Sequence, residues 1–184
     1  MNIVITLVVI IVIALLALFL TKHMPSANTV QVGNTISVDY IGKTTDGKIF
    51  DTSIEQVAKD NGLFSAQRPY TPLSFTVGSG QMIAGFDKGV VGMHVGETKE
   101  LTLAPQDAYG EVNPALVKTL SGSMFTSAGI TPKVGETYMM NQGMSATVKA
   151  ISGDDVTMDF NPPLAGKTLI FEVTLKSIGT GANQ

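Results

Sequence analysis

Phe75-Thr76-Val77-Gly78-Ser79-Gly80-Gln81-Met82-Ile83-Ala84-Gly85-Phe86-Asp87 is the stretch on which the fold turns. Leu73, Phe75 and Val77 alternate with Ser74 and Thr76, the period of a half-buried strand. Two glycines interrupt the pattern, and the spacing of Phe86, Val90 and Val91 suits two helical turns from Ala84 to Val91. The chain therefore passes from strand to turn to short helix. The same residues exclude one chemistry. Ile83 stands where a third glycine would complete G-x-G-x-x-G, so the dinucleotide fingerprint fails.

On either side of this stretch strand patterns dominate. Ile36, Val38 and Tyr40 alternate with Ser37, Asp39 and Ile41. Thr45-Asp46-Gly47-Lys48 predicts a hairpin turn, because Asp-Gly accepts the positive φ of a tight reversal. Ile49 and Phe50 resume a strand, and Ser53 is expected to cap a helix from Ile54 to Lys59 that Asn61-Gly62 ends. Leu101 and Leu103 flank Thr102. Leu169, Phe171, Val173 and Leu175 make the longest alternation, against Ile170, Glu172, Thr174 and Lys176. Val-Gly-x-Thr occurs at Val32, Val95 and Val134, each time before a strand pattern, and reads as turn chemistry. The unequal spacing argues against a solenoid.

Residues 114–159 have a logic of their own. Pro114 and Pro132 punctuate them, Ala146, Val148 and Ala150 alternate, Gly153-Asp154 turns the chain, and Val156, Met158 and Phe160 alternate after it. This predicts a small β unit inserted between Leu103 and the last strand. Its apolar residues include Met124, Met139, Met140, Met144 and Met158, flexible side chains that suit either an adaptable binding face or a small core.

Composition narrows the function. The chain has 184 residues, 15% charged and 44% hydrophobic, with a formal net charge of −3. The first 28 residues hold one charged side chain, Lys22, so the remainder carries 11 basic and 15 acidic groups. A mildly acidic body does not capture nucleic acid broadly. The absence of cysteine removes disulfides, thiolate metal sites and thiol catalysis, and two histidines, His23 and His94, cannot build a multi-His metal site. No phosphate loop and no G-x-S-x-G elbow occurs. Asp154-Asp155 reads as solvated turn and His94 as a turn residue. An enzyme of this composition works without nucleophile, metal or organic cofactor.

Ile3 to Leu20 is an uncharged run of 18 residues, about 27 Å as a helix and close to a bilayer core. It is expected to anchor residues 1–28 in a membrane, with Lys22 and His23 at the interface and Met24-Pro25-Ser26-Ala27-Asn28 as tether. The alternatives are a cleaved signal peptide and a buried core helix. The free amino group and Lys22 nearly tie the positive-inside count; an extracytoplasmic soluble domain is the working expectation.

Val38-Asp39-Tyr40-Ile41-Gly42, then Asp46 to Ser53, Phe75 to Asp87, Gly92-Met93-His94-Val95-Gly96-Glu97, Ala108-Tyr109-Gly110 and Thr168 to Val173 resemble, in order, the FKBP-type peptidyl-prolyl cis-trans isomerases. The resemblance covers nearly all of Val32 to Ile178. It implies an α+β, mostly β fold, a twisted antiparallel sheet wrapped on a short helix, over 29–113 and 160–179. Residues 114–159 stand where SlyD-like members carry a chaperone domain in the flap, and Asn161 to Lys167 resembles the return from it. The extra stretch from Ile54 to Pro72 resembles longer archaeal members. The chain ends in a tail, 180–184, without the metal-binding His and Cys of some relatives.

The resemblance implies catalysis of X-Pro rotation by Tyr40, Phe50, Asp51, Ile83, Phe86, Tyr109 and Phe171, with Met82, Leu73 and Leu164 as substrate-binding residues and no metal. Phe86 stands where many relatives have Trp. The implied partners are proline-containing unfolded or nascent polypeptides, with macrolide inhibitors as candidate ligands. A non-catalytic peptide-binding holdase and a structural envelope domain remain as rivals.

Overall fold

The three Val-Gly-x-Thr turns start three strands. Gly33, Gly96 and Gly135 each adopt φ near +90°, and the Thr two residues later opens a strand. The computed structural model describes residues 29–139 and 144–179. Among these, β1 (Thr35–Thr44), β2 (Ile49–Thr52), β3 (Leu73–Thr76), β4 (Thr98–Leu103) and β9 (Leu169–Gly179) form one antiparallel sheet. The expected anchor at Ile3 to Leu20, Met140 and the tail lie outside the described residues. Among the described residues no helix is long and apolar enough to cross a membrane.

β9 lies between β1 and β4, pairing Thr35↔Gly179 through Thr44↔Leu169 on one side and Thr98↔Thr174 through Leu103↔Leu169 on the other. Its alternation is realised: Leu169, Phe171, Val173 and Leu175 are buried. The free edge of β1 is shared by two short strands in tandem. β3 pairs with its first half, Thr35↔Thr76 to Val38↔Leu73, and β2 with its second, Ile41↔Thr52 to Lys43↔Ile49.

Tyr40 falls in the gap between them. Its backbone N–H donates to Ser53 Oγ at 3.0 Å, and its carbonyl accepts from Thr52 Oγ1 at 2.7 Å and Ser53 N at 3.1 Å. These two buried polar side chains continue the ladder where no strand is present, which keeps buried backbone groups satisfied. Ser53 is therefore not the helix cap that the sequence predicts. The helix α1 runs Glu55–Asp60, its N-cap is Ile54, and no side chain caps it.

α2 (Ala84–Gly89) packs on the sheet through two glycines one turn apart. A Cβ at Gly85 would meet Leu103 at 2.7 Å, and one at Gly89 would meet Leu101 at 2.6 Å. The close approach places Phe86 and Val90 in the core, whereas Val91, expected on the same face, lies past the helix end and is exposed.

The second sheet orders β5 (Val117–Ser121), β8 (Asp155–Asp159), β7 (Ser145–Ser152) and β6 (Thr137–Met139), with helix α3 (Gly122–Ser127) beside it. Phe125, Ala146, Val148, Val156 and Met158 form its own core. The methionines divide: Met158 is buried, and Met124, Met139 and Met144 are exposed. The chain enters this sheet after β4 and returns before β9. Asn161 ties the two crossings, donating from Nδ2 to the Asn113 carbonyl at 3.1 Å while Oδ1 accepts from Asn113 N at 2.8 Å.

Candidate active site

Edge-to-face packing of aromatic rings builds the site. Phe171 on β9 is the hub. Its ring lies 5.3 Å from Phe86 at 84°, 5.6 Å from Phe50 at 88° and 6.4 Å from Tyr40. Tyr40 meets Phe86 edge-on at 6.3 Å, and Phe75 supports Phe86 from behind at 5.9 Å. Such arrangements put positive ring edges on negative faces and fix the rings against one another. Strand alternation explains the convergence. Tyr40 and Phe171 sit on the core face of neighbouring strands, and Phe86 rises to meet them from α2.

Gly42 makes room for the pair. Its Cβ, were there one, would lie 2.8 Å from Phe50 Cζ and 3.0 Å from Phe171 Cε1. A residue with a side chain here would press on both rings.

The rings enclose a cavity of about 70 Å³ lined by Tyr40, Phe50, Asp51, Leu73, Met82, Ile83, Phe86, Tyr109 and Phe171. Nine of the ten residues expected at the site thus share one hollow. Leu164 does not join them. It packs against the core and lines a neighbouring groove with Phe50, Pro163 and Lys167. Phe86 is 1% exposed and forms the floor, while Tyr109 is 45% exposed and stands at the mouth. The Tyr109 hydroxyl has no hydrogen-bond partner among the described residues, which leaves it available to a ligand.

The polar rim holds a residue the sequence did not reveal. Tyr40 donates its hydroxyl hydrogen to Asp51 Oδ2 at 2.7 Å, and Arg68 spans the pair, reaching Asp51 Oδ1 through Nη1 and the Tyr40 hydroxyl through Nη2 at 3.1 Å. Thr52 N also donates to Asp51 Oδ1, at 2.9 Å. Burial, then the hydrogen bond to Asp51, push the Tyr40 hydroxyl up to about 12, so it stays protonated and keeps donating. The Asp51 contact raises the Arg68 guanidinium further, and Arg68 remains charged throughout. Arg68 lies 17 residues beyond Asp51, in the stretch between α1 and β3. It is the only arginine in the chain, and that singularity was the one signal available.

The family profile described as FKBP-type peptidyl-prolyl cis-trans isomerase matches residues 26–176. The short-type peptidyl-prolyl cis-trans isomerase of Methanocaldococcus jannaschii is 39% identical over 151 residues, 82% of this chain and 95% of that protein. The FKBP-type 16 kDa peptidyl-prolyl cis-trans isomerase of Escherichia coli K12 is 28% identical over 156 residues, 83% and 95% of the two chains. SlyD of Helicobacter pylori is 36% identical over 103 residues, 54% and 55%.

Proposed function

This chain belongs to the FKBP-type peptidyl-prolyl cis-trans isomerases, and on that premise we propose that the aromatic cavity takes the proline ring while the second sheet holds the unfolded client. The observation that carries the reading is the shared hollow over Phe86.

Rotation about a prolyl amide meets a barrier of about 18–20 kcal/mol because the C–N bond has partial double-bond character. Midway through the turn that resonance is lost, and with it much of the charge separation of the planar amide. A dry pocket therefore favours the twisted bond over the planar one, relative to water, once its remaining polar atoms are hydrogen-bonded. A thousandfold acceleration needs only about 4 kcal/mol. Phe86, Phe171, Phe50, Met82 and Ile83 supply the apolar walls, with Leu73 completing them. Tyr40 is committed to Asp51 and Arg68, so it acts as a fixed wall and rim. Tyr109, unpaired at the mouth, donates to a substrate carbonyl. No proton changes owner, which is why no acid–base pair is required.

The chaperone role belongs to residues 114–159. A groove of about 270 Å³ there is lined by Leu120, Met124, Phe125, Ala128, Ile130, Tyr138 and Met139. Met124 and Met139 are exposed, and flexible thioethers adapt to varied apolar segments. A client held there raises the local concentration of its prolines at the cavity. Macrolides that fill a prolyl site are expected to compete for it. The Ile3 to Leu20 run would hold the chain at a membrane. Thr29 bridges His94, and neither residue lines the cavity, so a tether entering at Thr29 does not occupy it.

Exchange NMR on a prolyl peptide tests the isomerase site. Wild type should accelerate exchange, and Tyr109→Phe should lower the rate several-fold while the fold is kept. A wild type that binds the peptide without accelerating it would leave only the holdase reading. Flotation of the full chain with vesicles, against residues 29–184 staying behind, tests the anchor.

A further inference from the structure

The proline cavity has a neighbour. A groove of about 340 Å³, lined by Arg68, Pro69, Thr71 and Ser74, shares Tyr40 and Leu73 with the cavity as a common wall. The ion pair at the rim is divided between the two hollows: Asp51 lines the cavity, and Arg68 lines the groove. Both Asp51 oxygens are engaged, Oδ1 by Arg68 and Thr52 N, Oδ2 by the Tyr40 hydroxyl. Arg68 gives one N–H to Asp51 and one to Tyr40. Of the five donors on a guanidinium, three are left without a partner among the described residues. The hydroxyls of Thr71 and Ser74 also have none among them. Among the described residues no carboxylate lines the groove, so beyond the Asp51 contact the Arg68 guanidinium offers its spare donors to whatever enters.

The loop that carries Arg68 is held from within. Tyr70 stacks on Phe64 at 5.6 Å and 15°, and the Arg68 guanidinium lies over the Tyr70 ring at 5.4 Å. The Tyr70 hydroxyl accepts from Ser65 N at 3.0 Å and donates to the Leu63 carbonyl at 3.2 Å. A side chain set in place before binding loses little entropy when it binds.

We propose that this groove is a specificity subsite for the residue next to the proline in the client, and that Arg68 makes it favour a carboxylate, Asp or Glu. The inference rests on the isomerase reading of the cavity. Neighbouring Cα atoms are about 3.8 Å apart, so with the ring over Phe86 the side chain of an adjacent residue is within reach of the shared Tyr40–Leu73 wall and of the groove behind it. The Arg68 side chain is 43% exposed. An ion pair at such a site carries at most about fivefold in a rate ratio.

The full chain is assayed by exchange NMR on two peptide pairs, Ala-Glu-Pro-Phe with Ala-Gln-Pro-Phe and Ala-Ala-Pro-Glu with Ala-Ala-Pro-Gln. In one pair the Glu peptide should be turned over about three- to fivefold more efficiently than its Gln partner at low salt. That ratio should shrink toward one in about 0.5 M salt, and Arg68→Gln should bring it to one even where it lowers both rates. The pair that shows the preference identifies which side of the proline enters the groove. Equal efficiencies within both pairs, with the Gln peptides clearly accelerated, overturn the subsite and leave the isomerase reading standing. Acceleration of no peptide overturns the isomerase reading, and the subsite with it. Should Arg68→Gln fail to fold, the wild-type ratio decides alone, and one that ignores salt refutes the proposal.

Discussion

Gly42→Ala separates the shape of the cavity from the stability of the domain. The added Cβ would lie 2.8 Å from Phe50 Cζ and 3.0 Å from both Phe50 Cε2 and Phe171 Cε1. Ordinary carbon contacts are about 3.5–4.0 Å, so the two rings must give way by roughly half an ångström to one ångström. Neither can simply swing aside, because Phe171 is held edge-on by Phe86 and Phe50 by Phe171. Overpacking of this kind costs about 1–3 kcal/mol. Gly42 has no left-handed backbone, so alanine also restricts the unfolded chain and returns about 0.4–1 kcal/mol. The net loss is about 2.6 kcal/mol or less. The effect on catalysis is larger, since misplacing binding groups by about 1 Å can cost on the order of a hundredfold. Urea unfolding and exchange NMR on one prolyl peptide read the two quantities separately. We expect the urea midpoint to fall by about 1 M or less and catalytic efficiency to fall ten- to a hundredfold. Unchanged efficiency with a lowered midpoint would refute the argument that ring placement at this wall governs turnover.

Other perturbations address other parts of the structure. Tyr40 is held protonated up to about 12, whereas a free tyrosine releases its proton near 10. Between those values only the folded chain keeps the proton, so stability is full below about pH 10 and falls as pH rises toward 12. Urea unfolding across that range should show the decline in wild type, with this contribution missing in Tyr40→Phe. Replacing residues 114–159 by a short loop should spare turnover of small prolyl peptides and slow catalysed refolding of a proline-limited protein. Equal refolding rates would remove the chaperone role. Asn161→Ala breaks both hydrogen bonds to Asn113 and should raise amide exchange at the two crossings without changing peptide turnover.

Much of the framework was legible because it is local. Glycine at positive φ marks the three turns before β1, β4 and β6, and strict alternation marks β9. The hairpin at Asp46-Gly47 follows from the same chemistry, with Gly47 at φ +84°. What escaped is long-range. The two-strand edge of β1 and the use of Thr52 and Ser53 to complete its ladder depend on backbone groups a dozen residues away. A serine before a helix looks alike whether it caps the helix or bonds a neighbouring strand. The candidate site residues were picked out through ordered motifs, since alternation alone does not distinguish a pocket wall from ordinary core. Arg68 belonged to no such motif, and its partners Asp51 and Tyr40 lie 17 and 28 residues earlier.

In the proposed mechanism the proline ring sits among Phe50, Phe86 and Phe171, and its bond turns there. Nuclear Overhauser contacts between a labelled prolyl peptide and the full chain, recorded with the exchange rate in one sample, test it most directly. Contacts from the proline ring protons to the Phe86 and Phe171 rings are expected, together with accelerated exchange. Accelerated exchange with proline contacts confined to Met124, Phe125 and Met139 would contradict it.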